Sequence, residues 1–463
     1  MTTAARSAEA IMDCVGTLSA AVEVLRPAFT SPGFRNGIVL FAGWVLTSGP
    51  HAVTQALVVT DVARRLHHER FHRFFSRGTW DPDHLGWLLF NRLVRLCPPE
   101  GPLWAAVDDT LASKKGAEIF GIGSHLDAVR STKLRKVFSF GHVWVVLAIV
   151  INVPFSRRPW AVPVLLRLYR TKKECQENGG VHRKKTELAR EMVEILHSWA
   201  GGWPIELVMD SAYSNSTVLA RRPHGCSVIG AMRPDAALYA PPEAATRSKR
   251  GGRPRVRGRR LPTPSELAAD PNTPWQSITL NIYRESRTIY YKTITALWYR
   301  ACGSELVRVV VVRVDSGTMP IRVFFAANPN LNVKDLLVGY ARRWAIEVCF
   351  RDLKQHLGFG DSSARKREAV ERTAPFVAYI YTVLVMWFAE GAHESHLAIP
   401  PIRPWYKKKQ GLCFADILRA AQRALITIDV LDPHRNIEDL HKQAHAPLPI
   451  ASNRAPPGAQ CLQ

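Results

Sequence analysis

Between residues 103 and 232 the chain sets short apolar runs beside a single amphipathic helix, and that order constrains the fold more than any other feature. LWAAVDDT (103–110), Val137–Ile151 and Ala161–Leu168 each read as a strand. Lys185–Trp199 reads as a helix, with Leu188, Met192, Ile195 and Trp199 on one stripe. IELVMD (205–210) and SVIGAM (227–232) read as two further strands. The run Val143–Val153 is apolar except for Asn152, too short to span a bilayer and rich in Val and Ile, so it predicts a buried strand. The expected class is α/β. Asp109 follows one strand and Asp210 ends another.

The flanks differ in character. Residues 1–98 predict a helical domain, with apolar residues at helical spacing over Ala8–Leu25 and Ala52–Phe75. Arg64, Arg65, Arg70, Arg73 and Arg77 interleave with Phe71, Phe74 and Phe75, a pattern suited to DNA contact and also to a solvated face beside a core stripe. Residues 99–241 form the first part of the α/β core. Within 242–274, eight Arg or Lys fall between Arg247 and Arg260 among Gly and Pro, which predicts a mobile basic loop. Its cations Arg250, Arg253, Arg255, Arg257 and Arg259 are candidate DNA ligands. A β-rich insertion is expected from 275 to 328, and one long helix over 333–357 resumes the core, which closes near 362. Residues 363–463 predict a helical C-terminal region, with helices near 368–390 and 414–427, and a polar tail. A second apolar stretch, Phe376–Phe388, is also shorter than a membrane span.

Charge and cysteines narrow the function. Lys plus Arg total 62 against 39 Asp plus Glu, a formal charge of +23. Such a surplus is a statement about partners, and nucleic acid is the polyanion that most often demands it. The eight cysteines are scattered, with no CxxC pair, which argues against a zinc site or a disulfide scaffold. No P-loop and no GxSxG is present. The N-terminus lacks a signal-peptide layout, so a cytoplasmic protein is expected.

Three acids carry the candidate chemistry. Carboxylates at strand ends converge at one edge of a parallel sheet, and oxygen-only ligands suit Mg²⁺ or Mn²⁺. Asp108 and Asp109 are adjacent, so on a strand they face opposite ways and one alone is expected to ligate. Asp210-Ser211 could equally cap a helix beginning near Tyr213. In YARRWAIEVCFRDLK, one continuous helix would place Tyr340, Arg343, Glu347 and Lys354 within an arc of about 60°. Such a row makes poor core and a good phosphate-facing surface around a metal ligand.

That spacing resembles the YREK signature of bacterial insertion-sequence transposases of the DDE type, and VDDT and MDSAY resemble the two preceding acidic motifs. The resemblance covers about 100 to 360; Trp80-Asp81 resembles a subgroup mark outside it. It implies an RNase H-like catalytic core with a β-rich insertion. It selects Asp109, directly before Thr110, and implies that Asp109, Asp210 and Glu347 hold two Mg²⁺ or Mn²⁺ ions. Arg343 and Lys354 would grip phosphates, with Tyr340 beside them. An insertion aromatic, Trp298 or Trp275, would hold a flipped base, although most insertion tryptophans are core. The implied activity is cut-and-paste transposition on terminal inverted repeats and target DNA by a nucleoid-associated homodimer. The rival expectations are a domesticated relative that binds DNA without cutting and a host RNase H-like nuclease.

Overall fold

A computed structural model describes residues 16–116, 118–127, 129–132, 134–242, 255–282, 285–314, 321–395, 398 and 411–426. Before the sheet, after a helical stretch over 16–23, come α1 (Ser31–Leu46), α2 (Val53–Val59), α3 (Glu69–Ser76) and α4 (Pro82–Leu93). The core follows: β1 (Leu103–Ser113), β2 (Gly123–Leu126), β3 (Phe138–Val153), β4 (Ser156–Tyr169), α5 (Lys172–Glu177), α6 (Lys185–Ala200), β5 (Ile205–Met209), α7 (Ser216–Leu219) and β6 (Cys226–Ala231). Next come α8 (Pro264–Ala269), β7 (Gln276–Ile282), β8 (Glu285–Leu297), α9 (Tyr299–Cys302), β9 (Leu306–Val314) and β10 (Arg322–Ala326). The last helices among the described residues are α10 (Val333–Ala341), α11 (Trp344–His356), α12 (Arg367–Ala389) and α13 (Phe414–Ile426).

Among the described residues the ten strands belong to one mixed sheet, in the order β2-β3-β1-β5-β6-β10-β9-β8-β7, with β4 on β3. β1 runs antiparallel to β3 and parallel to β5, and β5 runs parallel to β6. A mixed sheet with helices on its faces agrees with an RNase H-like core. The β-rich segment continues this sheet, because β10 pairs with β6 through Phe324↔Ala231 to Ala326↔Ile229.

The terminal helical segments pack on one another. α12 donates from Thr382 Oγ1 to the Pro163 carbonyl at 2.8 Å and from Tyr379 OH to Val164 at 3.0 Å. Gly86 of α4 reaches the same Val164 carbonyl so closely that a Cβ there would lie 2.0 Å from the oxygen. Gln422 of α13 bonds to the Val45 carbonyl of α1 at 2.8 Å. α12 is long and apolar enough to cross a membrane, yet 89% of its most apolar window is buried inside the protein.

Four expectations need correction. The helix expected over 52–75 is interrupted: Asp61 takes a left-handed φ of 53°, and α2 and α3 are separate. Asp109 lies within β1, paired with Val145 of β3, and does not follow the strand. The helix expected over 333–357 breaks at Arg342–Arg343, where the amides of 342, 343, 345 and 346 bond three residues back instead of four. Glu347 therefore sits in the first turn of α11. Finally, part of the expected basic loop is structured. Thr263 and Glu266 cap α8 reciprocally, and buried Lys292 of β8 donates to the carbonyls of Leu267, Ala268 and Asp270 at its end.

Candidate active site

The site forms where β1 and β5 run side by side. Their register ends at Val107↔Met209, which leaves Asp108 and Asp210 as the next residues on neighbouring parallel strands. The two aspartates of β1 part company there. Asp108 accepts from Arg343 Nη1 at 3.2 Å, and Arg343 Nη2 donates to Glu347 Oε1 at 2.6 Å. The guanidinium also lies 5.5 Å from the Tyr340 ring, which rests on Phe324 at 4.4 Å between centroids. Asp109 points the other way. It accepts from Lys185 Nζ and from the Tyr213 hydroxyl, both at 2.7 Å.

Asp210 turns its carboxylate back on its own chain. Oδ1 accepts from the amides of Ala212 at 2.9 Å and Tyr213 at 3.3 Å. This is an Asx turn; the short helix after it begins at Ser216 and is capped by Asn215. The turn places Tyr213, which is 1% exposed, among the acids. Burial pushes its hydroxyl above the ordinary tyrosine range, and the charges of Asp109, Asp108 and Asp210 add to that. Asp108 is pushed up to about 7, first by burial and then by the charge of Asp210, with Arg343 opposing.

The geometry thus ties Asp109 to the Tyr213 hydroxyl and Asp210 to the Tyr213 amide, and joins Asp108 to Glu347 through Arg343. Among the described residues no three acids, imidazoles or thiols already form a ready cation cage. The donor chemistry nevertheless suits a hard divalent cation. The ligands offered are carboxylate oxygens, and the repulsion between Asp108 and Asp210 is the kind that such a cation relieves.

The remaining candidates are scattered. Lys354 is exposed on α11, where burial of its stem lowers its proton affinity and Asp127 in the β2–β3 connection raises it. Trp298 packs edge-on against Phe325, with 5.1 Å between centroids. Trp275 stacks under Lys292 at 4.9 Å and Arg313 at 4.5 Å. Arg255, Arg257 and Arg259 lie at the surface, and Arg257 sits over Tyr239 at 4.4 Å. Arg250 and Arg253 lie outside the described residues. Sequence reasoning missed Lys185 and Tyr213. Tyr213 sits in the quoted MDSAY, but the role of its hydroxyl depends on Asp109, 104 positions away.

A family model described as DDE superfamily endonuclease matches residues 25–299, more than half of the 463-residue chain. The match includes Asp109 and Asp210 and ends before Glu347. No curated protein matches the chain.

Proposed function

The chain belongs to the DDE superfamily endonucleases, and from that premise we propose that it is an insertion-sequence transposase that cuts and joins DNA at the ends of its element. Membership makes the chain a nuclease-type enzyme with DNA as its substrate. The observation that carries the finer reading is the meeting of acids at the ends of β1 and β5: Tyr213 donates to Asp109 from its hydroxyl and to Asp210 from its amide, and Arg343 joins Asp108 to Glu347. An acidic cluster in a chain of charge +23 is matched to a polyanion only if cations mediate.

In this reading Asp109, Asp210 and Glu347 would hold two Mg²⁺ or Mn²⁺ ions, which would supply Lewis-acid chemistry for phosphoryl transfer. Lys185 neutralises Asp109, and Arg343 neutralises Glu347 and Asp108, until the substrate draws these cations to its phosphates. Tyr213 holds the Asp109 carboxylate in one orientation. A second assignment, with Asp108 in place of Asp109, is favoured by its shared contact with Arg343 and by its register beside Asp210. Cut-and-paste strand transfer, recognition of terminal inverted repeats, a homodimeric synapse holding two ends and a nucleoid-associated cytoplasmic location complete the proposal. The rival is a relative that binds DNA without cutting it.

The test is nicking of a plasmid that carries the coding sequence and its flanking DNA. Cleavage should require Mg²⁺ or Mn²⁺ and stop in EDTA. Full activity in chelator would remove the metal reading, and binding without any cleavage would favour the rival.

A further inference from the structure

The connection from β2 to β3 lies beside the acidic cluster, and the site as described makes no use of its outer face. Leu126 pairs with Phe138 and Ser124 with Phe140 across the two strands, so these four side chains share one face. Leu126 is 48% exposed, Phe138 65% and Phe140 64%. Val129 and Leu134 in the turn are more open still. Exposed apolar surface gathered in one place marks an interaction site. Arg130, Arg135 and Lys136 stand exposed around it.

The turn is built to present that face. Asp127 Oδ1 accepts from the amides of Val129 and Arg130, each at 3.1 Å, and Oδ2 accepts from Ser139 Oγ at 3.1 Å. The Val137 amide donates to Ser131 Oγ at 3.0 Å.

The opposite face leads to the cluster. His125 is buried with its ring 5.8 Å from Tyr169, and that ring lies 5.7 Å from the Lys185 ammonium that binds Asp109. Asp127 acts on Lys354 of the signature row. The inner face of the hairpin is thus linked through the Tyr169 ring to Lys185, the cation that pairs with Asp109.

We propose that the β2–β3 hairpin is a DNA wedge. Leu126, Phe138 and Phe140 lie against base faces bared where the duplex opens beside the cut, and Arg130, Arg135 and Lys136 hold the flanking phosphates. The proposal rests on the reading of the chain as a DNA-cutting enzyme. DNA is the occupant that the charge selects. A second copy of this face would bring the same cations against themselves, whereas opened DNA offers phosphates to the cations and π-faces to the rings. Insertion of apolar side chains between unstacked bases is a general way for proteins to hold deformed DNA.

The test uses the full chain and two labelled duplexes of one sequence, fully paired or carrying a short unpaired bubble. Wild type should prefer the bubble. Phe138→Ser with Phe140→Ser should weaken bubble binding on the order of tenfold per base unstacked and leave the paired duplex nearly unchanged. Both residues are exposed, so the melting temperature should hold; Phe138→Ser alone gives the same reading if the double variant does not fold. Arg130→Ala with Arg135→Ala and Lys136→Ala should weaken both duplexes and flatten the log-log salt slope by about 0.9 for each phosphate no longer gripped. Unchanged bubble affinity in the aromatic variants overturns the wedge. So does a DNA-free dimer that becomes a monomer with DNA affinity intact, which would make the face a contact between copies. If wild type binds neither duplex, the DNA-cutting reading itself falls, and the wedge falls with it.

Discussion

Removing Arg343 should expose how strongly the site depends on a positive charge. Its side chain is 15% exposed and bonds Asp108, 17% exposed, and Glu347, 34% exposed. Breaking a buried pair by deleting one partner costs about 3–5 kcal/mol. The Glu347 arm is partly solvated and counts for less, so Arg343→Ala should cost about 2–4 kcal/mol. Asp108→Asn alone should be much milder. It removes a charge that Asp210 repels and leaves Arg343 with Glu347. In the double variant no uncompensated Asp108 charge remains. The double-mutant cycle should then return a coupling of about 1–2 kcal/mol, the double being less destabilised than the sum. Urea denaturation in metal-free buffer measures all four proteins. Mg²⁺ should also stabilise Arg343→Ala more than wild type, because Glu347 is then free to ligate. A coupling inside the additive scatter of about 0.3–0.5 kcal/mol would refute the bridge as an energetic feature.

Two further perturbations test the scaffold. His142 is 3% exposed, and burial pushes it down to about 4, against the hydrogen bond to the Phe120 carbonyl. A depressed histidine contributes stability that is present above its unfolded value near 6.5 and lost as pH falls toward 4. His142→Gln should therefore flatten the loss of stability between those pH values, as followed by thermal melts; an unchanged profile would place the acid sensitivity elsewhere. Gly86→Ala would set a methyl against the Val164 carbonyl and the Tyr379 hydroxyl. It should lower the melting temperature by an amount corresponding to about 1–3 kcal/mol, and no change would contradict the close approach of α4 to β4.

The parts of this molecule legible in the sequence are those written in local pattern. The apolar run before Asp108 and Asp109 predicts β1, and the stripe Leu188, Met192 and Ile195 predicts α6. The spacing of Tyr340, Arg343 and Glu347 announces that these residues belong together. They do meet, but through a break. A helical wheel assumes an unbroken helix, and the turn at Arg342–Arg343 puts Tyr340 on α10 and Glu347 on α11. Lys354 lies seven residues beyond Glu347 in the same unbroken α11, so those two keep a common face. Long-range partners leave no such trace. Nothing near Lys185 foretells Asp109, and nothing near Lys292 foretells its capping of α8. Strand alternation predicts that Asp108 and Asp109 diverge but not which of them meets Glu347's neighbour; the packing of α10 and α11 decides that.

The most direct measurement of the central claim compares Asp109→Asn, Asp210→Asn and Glu347→Gln with wild type on one labelled duplex from the flanking DNA, by nicking in Mg²⁺ and by gel shift. Each substitution keeps size and removes the charge that a cation needs. Each should lower nicking by several orders of magnitude, with losses that do not add in combination. Binding should survive, since phosphates are gripped elsewhere. Asp108→Asn, run beside them, should nick far better than Asp109→Asn; the reverse order would move the first ligand to Asp108. Nicking at the wild-type rate in all three triad variants would contradict the account.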